Sequence, residues 1–138
     1  MKRLFFVIIQ CTWGILQTLI GAVVFLAYIS CPHQSYRCAF DTRWNRPDGI
    51  SLGLFIFTPD KDTAYSNMIR VHEYGHCIQS LLLGPLYLFV CIVSVIWMHF
   101  PYFRSIREKK HLPYTSCFVE SWASKWGEWI TGDNALWD

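Results

Sequence analysis

The residues best suited to chemistry are the five from His72 to His76, which read His-Glu-Tyr-Gly-His. On a helix, positions i and i+4 lie on one face, so both imidazoles can reach a single metal ion. Glu73 follows the first histidine and is placed to accept a proton from a water molecule that the metal polarises. The spacing therefore predicts a zinc site with Glu73 as general base. The alternative is a pair of histidines packed in a core or at an interface.

A catalytic zinc site takes three protein ligands and leaves one position for water, so a third ligand must come from elsewhere. The candidates are His99, His111, Glu108, Glu120 and Glu128, with Cys117 as a minor alternative. Glu120 is favoured, because on a helix it shares a face with Ala123 and Gly127. This small face could pack closely against Gly75. A separate aromatic stripe, suited to the core or to lipid headgroups, consists of Phe118, Trp122, Trp126 and Trp129.

Composition limits the class of protein. Of the 138 residues, 53% are hydrophobic and 16% are charged, whereas a soluble domain carries about 25% charged residues. High hydrophobicity also argues against a disordered chain. The net charge of +2 is too small for a nucleic-acid-binding surface, so no nucleic-acid partner is expected. What remains is a small, mainly α-helical integral membrane protein with a single domain over 1–138.

The elements that must position the motif follow from the apolar pattern. Residues 4–29 carry no formal charge and are long enough for a transmembrane helix; a cleaved signal peptide, the alternative, would have a shorter apolar region. The polar loop 30–62 is expected to hold one short strand or hairpin. A motif helix over 64–83, an apolar helix over 85–99 and an amphipathic third-ligand helix over 114–131 complete the chain.

The break at Gly84-Pro85 allows either a kinked continuous helix or a helical hairpin. A continuous helix would be about 50 Å long and would put Glu120 across the membrane from His72. We therefore expect the hairpin, with 30–62 and 113–138 on one face. Basic residues before the first helix and over 104–110 both favour the cytoplasm, which creates a conflict. The first helix usually sets the orientation, so we expect an extracytoplasmic site.

His72-Glu73-x-x-His76 followed by Glu120-x-x-Ala123 resembles the gluzincin metallopeptidases. The closest pattern is in their integral-membrane members, the prenyl-protein endopeptidases and their bacterial stress-protease relatives. The chain is also similar to small, mostly uncharacterised bacterial membrane proteins that share H-E-Y-G-H. The resemblance covers two short motifs and the hydrophobic layout. It implies Zn²⁺ bound by His72, His76 and Glu120, and a bacterial inner-membrane location.

The chain departs from the family pattern at one position. The family has an aspartate after the alanine, which holds a zinc-ligand histidine from the second shell, and this chain has Ser124 there. A serine can still accept a hydrogen bond. Candidate donors to an oxyanion are Tyr114, His111 and Tyr74, although ordinary packing is the alternative for each. Ser51, Leu52 and Gly53 could bind an extended peptide by strand addition, or simply cover the site.

The leading hypothesis is a membrane-bound zinc metallopeptidase that acts on a peptide or protein substrate near the lipid bilayer. One alternative is a zinc-dependent hydrolase of lipids or amides at the membrane surface, because the same zinc–water chemistry would serve. Another is a non-catalytic zinc-binding accessory protein. A structural zinc site has no need of a general base, and Glu73 therefore favours an enzyme. Self-association is one way in which so short a chain could enclose a site.

Overall fold

The computed structural model describes residues 2–138 and is mainly helical, with one small four-stranded sheet. The helices are α1 (Arg3–Thr12), α2 (Ile15–Ala27), α3 (Ala64–Leu83), α4 (Tyr87–His99), α5 (Pro101–Lys110) and α6 (Phe118–Thr131). The strands are β1 (His33–Tyr36), β2 (Ala39–Trp44), β3 (Ile50–Leu52) and β4 (Phe55–Pro59). Single 3-10 turns over Gly84–Leu86 and Tyr114–Ser116 precede α4 and α6. The expectation of a mainly helical chain is confirmed.

The N-terminal apolar segment is two helices, because α1 and α2 meet at a bend of 100°. The expectation of one uninterrupted helix over 4–29 is therefore wrong. The reason is a pair of fully buried amides, Gln10 and Gln17, which on a straight helix would lie about 10 Å apart. In the bent chain both reach Ser80 of α3. The Ser80 hydroxyl donates to Gln10 Oε1 at 2.9 Å and accepts from Gln17 Nε2 at 2.9 Å.

The polar segment between the apolar regions forms a sheet with strand order β1-β2-β4-β3. β1 and β2 are antiparallel, β2 and β4 are parallel, and β3 and β4 are antiparallel. The short strand or hairpin expected within 30–62 is present as the β3–β4 hairpin, which turns at Gly53 with φ of +63°. Glycine adopts this left-handed conformation without steric cost. The sequence therefore anticipated half of the sheet and missed β1 and β2.

Helix α3 runs through the interior. Thr63 caps its first turn, because the Thr63 hydroxyl accepts a hydrogen bond from the Ser66 amide at 3.1 Å. Nearly all side chains from Val71 to Ser80 are buried, between the sheet on one side and α6 on the other. Gly84, with φ of +53°, ends the helix. The residues that could do chemistry thus lie on the most enclosed helix of the fold.

The apolar run turns back at Gly84. Ser94 of α4 contacts the Glu120 carboxylate, which in turn lies 3.2 Å from His76 Nε2. On a straight helix Ser94 would be about 27 Å from His76, so α4 returns alongside α3. Taken together, the helical run Ala64–His99 is long and apolar enough to cross a membrane by length and composition. Helices α1 and α2 would add a second candidate span only if the bent pair counted as one.

Helix α6 packs on α3 at its small face. A Cβ atom on Gly75 would overlap the Ala123 carbonyl oxygen, and one on Gly127 would overlap the Val71 carbonyl oxygen. The two backbones therefore meet with no side chain between them. Cys117 is the residue that precedes α6, and Gly132 ends it with φ of +79°. This close approach places the Glu120 side chain on the motif.

Candidate metal centre

Three buried side chains meet where α6 crosses α3. His72, His76 and Glu120 keep 3%, 7% and 0% of their surface exposed. Glu120 Oε2 lies 3.1 Å from His72 Nε2 and 3.2 Å from His76 Nε2. Zinc bonds of about 2.0–2.1 Å in a tetrahedron place neighbouring ligand atoms about 3.3 Å apart. One ligand atom from each residue lies within 4.8 Å of the others, so the group could hold a metal ion.

The proton on His72 is fixed by a chain of hydrogen bonds from α6. The Ser124 hydroxyl donates its single proton to the Leu136 carbonyl oxygen at 2.5 Å. Its oxygen must therefore accept at its other contact, which is His72 Nδ1 at 2.8 Å. Neutral His72 then carries its proton on Nδ1 and directs the Nε2 lone pair at Glu120. Ser124 thus does for the histidine what a carboxylate does in many metal sites.

His76 is fixed in the same way by Gln79, one turn further along α3. Gln79 Nε2 donates to the Val119 carbonyl oxygen at 2.8 Å, which assigns the other amide atom as oxygen. That oxygen lies 2.7 Å from His76 Nδ1 and accepts its proton. Sequence reasoning missed Gln79. The sequence pattern that could have identified it is a glutamine three residues after the second histidine, on the same face of a helix whose neighbouring residues are mostly apolar.

These two assignments leave two imidazole lone pairs and one carboxylate oxygen converging on one point. Such a set requires a positive charge between its members, supplied by protons on the imidazoles or by a metal ion. Burial alone would raise the pKa of Glu120, but the charge of His76 and the hydrogen bonds of both histidines hold it below its usual range. The donor set of two nitrogens and one oxygen fits a divalent cation such as zinc.

The second oxygen of Glu120 has its own partners. The Ser94 hydroxyl of α4 donates to Glu120 Oε1. The Tyr114 hydroxyl lies next to the same carboxylate and can donate to it. Burial, followed by the negative charge of Glu120, raises the pKa of Tyr114 and keeps this phenol protonated as a donor. Ser94 was not anticipated, although it is the one hydroxyl in the middle of an otherwise apolar helix.

Glu73 lies beside the three ligands without joining them. It is 6% exposed and lines the same cavity as His72, His76 and Glu120, which has a volume of about 790 Å³. A Cβ atom on Gly49 would lie 2.7 Å from Glu73 Oε1, so only glycine lets the loop before β3 approach this closely. A free carboxylate that faces the cavity next to the ligands is the arrangement that a general base needs.

The other predicted site residues lie in different places. Tyr114, Ser51 and Leu52 line the cavity. Gly53 does not, because its turn packs against Thr18. His111 is exposed after the end of α5 and is not among the cavity residues.

The alternative third ligands are separated from the ligand group, which among residues 2–138 consists of His72, His76 and Glu120. Glu108 pairs with Arg104 on the surface at 3.0 Å. Glu128 accepts hydrogen bonds from the Ala135 amide and the Trp137 indole. His99 lines the cavity without belonging to the group.

Comparison with known proteins assigns no family to this arrangement. No protein-family model, curated protein or solved structure matches the chain. The likeness to gluzincins therefore remains a prediction, based on two short motifs.

Proposed function

We propose that the protein is a membrane-bound, zinc-dependent hydrolase, with peptide bonds as its leading substrate class. The observation that carries the proposal is the meeting of His72, His76 and Glu120 in a cavity that also holds the uncommitted carboxylate of Glu73. When bound, zinc would polarise the scissile carbonyl group and make a water molecule more acidic. Side chains of the protein would transfer the proton and stabilise the negative charge on the carbonyl oxygen.

Glu73 has the position of the proton carrier. Its carboxylate would take a proton from the attacking water and deliver it to the leaving amine. The loop at Gly49 packs directly against this side chain and helps to fix its position. Its placement beside the ligands favours catalysis over a purely structural metal site, for which no such group is needed.

Tyr114 supports the same assignment. Its phenol is protonated and lines the cavity, and it lies next to the carboxylate that would bind the metal. A neutral donor at this position can stabilise negative charge that develops on a carbonyl oxygen. Of the three candidate donors, only Tyr114 lines the cavity, because His111 and Tyr74 are not among the cavity residues.

A specific observation favours a second candidate, the hydrolysis of lipids or amides. The Ser51 carbonyl oxygen on the outer edge of β3 accepts a hydrogen bond from the Tyr87 hydroxyl at 3.0 Å. A peptide that paired with β3 would have to displace this bond. The cavity walls meanwhile carry apolar side chains such as Val24, Val95 and Met98, which suit an acyl chain.

The test is turnover by the purified full-length chain in detergent. Apolar fluorogenic peptides and N-acyl amides would be offered to the wild type, to Glu73→Gln and to chelator-treated protein. We expect Glu73→Gln to keep its metal and lose at least about 100-fold in rate, the scale of general-base catalysis. The substrate class that is turned over decides between the two candidates. Metal-loaded wild type that hydrolyses neither would leave a non-catalytic accessory protein.

A further inference from the structure

We infer that the protein inserts into a single leaflet of a lipid bilayer from one side, through two helical hairpins that do not cross the membrane. The first hairpin is α1 with α2, and the second is the C-terminal part of α3 with α4. The inference rests on where these hairpins begin, turn and end. It is independent of the proposed hydrolysis.

Both ends of the first hairpin lie at the sheet. At the start of α1, Arg3 donates to the Ser35 hydroxyl of β1 at 3.0 Å. Near the end of α2, the Phe25 ring is centred 4.5 Å from the ring of His33, also on β1. Between these ends, the Leu54 amide at the β3–β4 turn donates to the Thr18 hydroxyl near the start of α2 at 3.3 Å, so α2 lies along the sheet. Because the start of α1 and the end of α2 both contact β1, the two ends of the first hairpin lie on the same side of the membrane.

The second hairpin also leaves from one end of the molecule and returns to it. At the start of α3, the Ser66 hydroxyl donates to the Pro59 carbonyl oxygen at the end of β4. Near the end of α4, Trp97 Nε1 donates to the Tyr114 carbonyl oxygen at 2.9 Å, which joins α4 to the segment before α6. The polar sheet, α5 and α6 are thus all connected to the same ends of the hairpins.

The two bends contact each other. A Cβ atom on Gly84 would overlap the Trp13 ring, and Gln17 Nε2 donates to the Gly84 carbonyl oxygen at 2.9 Å. Trp13 Nε1 also donates to the Leu82 carbonyl oxygen at 3.4 Å. The carbonyl groups that the second bend frees at Leu82 and Gly84 are therefore satisfied inside the protein, as hydrocarbon surroundings require.

The surface around these bends is uncharged and apolar, which suits contact with lipid. No Asp, Glu, Lys or Arg occurs from Leu4 to Tyr36 or from Gly75 to Phe103. Large apolar side chains nevertheless point outward near the bends, namely Trp13, Leu16, Leu19, Leu82, Leu86 and Phe89. A contiguous apolar surface of this kind marks an interface. The basic residues of α5, which begins where α4 ends, complement anionic headgroups.

The lengths fit half a bilayer. Helix α1 has 10 residues, and α2 and α4 have 13 each, which correspond to about 15 Å and about 20 Å. A spanning helix needs about 20 residues to cross about 30 Å of hydrocarbon. Each of these arms is therefore too short to cross the bilayer by itself.

One-sided insertion also removes the conflict between the two groups of basic residues. Arg3 and the α5 cations then lie on the same side of the membrane, and the preference of Lys and Arg for the cytoplasm assigns that side. The expectation of an extracytoplasmic site depended on a first helix that crosses the bilayer, and one-sided insertion of the bent pair replaces that premise.

The chain carries its own reporters of sidedness, because its five lysines are all exposed: Lys2, Lys61, Lys109, Lys110 and Lys125. The full chain would be expressed in bacterial membranes and treated with a membrane-impermeant amine reagent, first in spheroplasts and then in inverted vesicles. Modified lysines are identified by mass spectrometry, with detergent-solubilised protein as the control for intrinsic reactivity.

We expect none of the five lysines to be labelled in spheroplasts and all five to be labelled in inverted vesicles. The protein should also stay in the membrane pellet after an alkaline carbonate wash. If Lys2 and Lys61 are labelled from opposite sides, α1 and α2 cross the bilayer. If Lys61 and Lys109 are labelled from opposite sides, α3 and α4 cross it. Either pattern, or release by carbonate, would overturn the inference. Label on all five in spheroplasts would overturn the cytoplasmic placement.

Discussion

Ser124→Ala should weaken metal binding without touching a metal ligand. The Ser124 hydroxyl accepts from His72 Nδ1 at 2.8 Å and donates to the Leu136 carbonyl oxygen at 2.5 Å. Alanine removes both bonds and leaves nothing to hold the proton on Nδ1. His72 can then rotate or take up the other tautomer, in which Nε2 carries the proton and cannot bind a metal.

The expected size of the effect follows from the two lost contacts. Removal of a group that orients a ligand histidine typically costs about 10–100-fold in metal affinity, which is about 1.4–2.7 kcal/mol. The metal-free protein should also lose about 1–3 kcal/mol of stability, because Ser124 is fully buried and its two partners lose a hydrogen bond. The stability of the metal-loaded protein should fall by the sum of the two effects.

The assay is competition for zinc against a chromophoric chelator, with thermal unfolding measured on the same samples. Ser121→Ala is the matched control, because the Ser121 hydroxyl lies on the same helix and donates only to the Phe118 carbonyl oxygen of its own turn. Ser124→Asp should retain or exceed the wild-type affinity, since a carboxylate accepts from Nδ1 more strongly. Zinc affinity that is equal in Ser124→Ala and Ser121→Ala would refute the assigned role of Ser124.

Three further substitutions test the surroundings of the site, each by the same zinc competition and unfolding measurements. Gly75→Ala should lower zinc affinity, and it should lower stability by about 1–3 kcal/mol, because the new Cβ would push α6 and Glu120 away from α3. If the contact were loose, the greater helix propensity of alanine would raise stability instead. Gln79→Leu should lower zinc affinity about 10-fold or more, because His76 loses its acceptor, and Gln79→Glu should restore the affinity. Equal affinities in the wild type and both variants would contradict the role of Gln79 as the acceptor from His76. Ser94→Ala should lower affinity less than Gln79→Leu does, because Tyr114 remains a donor to Glu120, and a larger loss would mean that Tyr114 does not compensate.

The local part of the site could be predicted from the sequence, because its geometry is a property of one helix. His72 and His76 share a face through their spacing alone, and this spacing needs no knowledge of the fold. Glu120 lies more than 40 residues away, and it could be selected because a carboxylate on a small helical face suggested close packing. The structure has this close packing, because a Cβ atom on Gly75 would overlap the backbone of Ala123.

The rest depended on contacts between distant segments. Ser94 meets Glu120 only because the chain turns back at Gly84, and no local pattern encodes that meeting. The bend after α1 had a signal in Gln10 and Gln17, two amides in an apolar segment that need partners once they are buried. Apolar length outweighed that signal and predicted a straight helix. Polar residues within apolar segments are thus as informative about the fold as the segments themselves.

The proposed centre is one metal ion held by three side chains, and the zinc content of the protein tests it most directly. Elemental analysis of the detergent-purified chain would be compared with His72→Ala, Glu120→Ala and Glu73→Gln. We predict about one zinc per chain in the wild type, loss in the first two variants and retention in Glu73→Gln. Zinc absent from well-folded wild-type protein, or zinc that survives Glu120→Ala, would contradict the proposed centre.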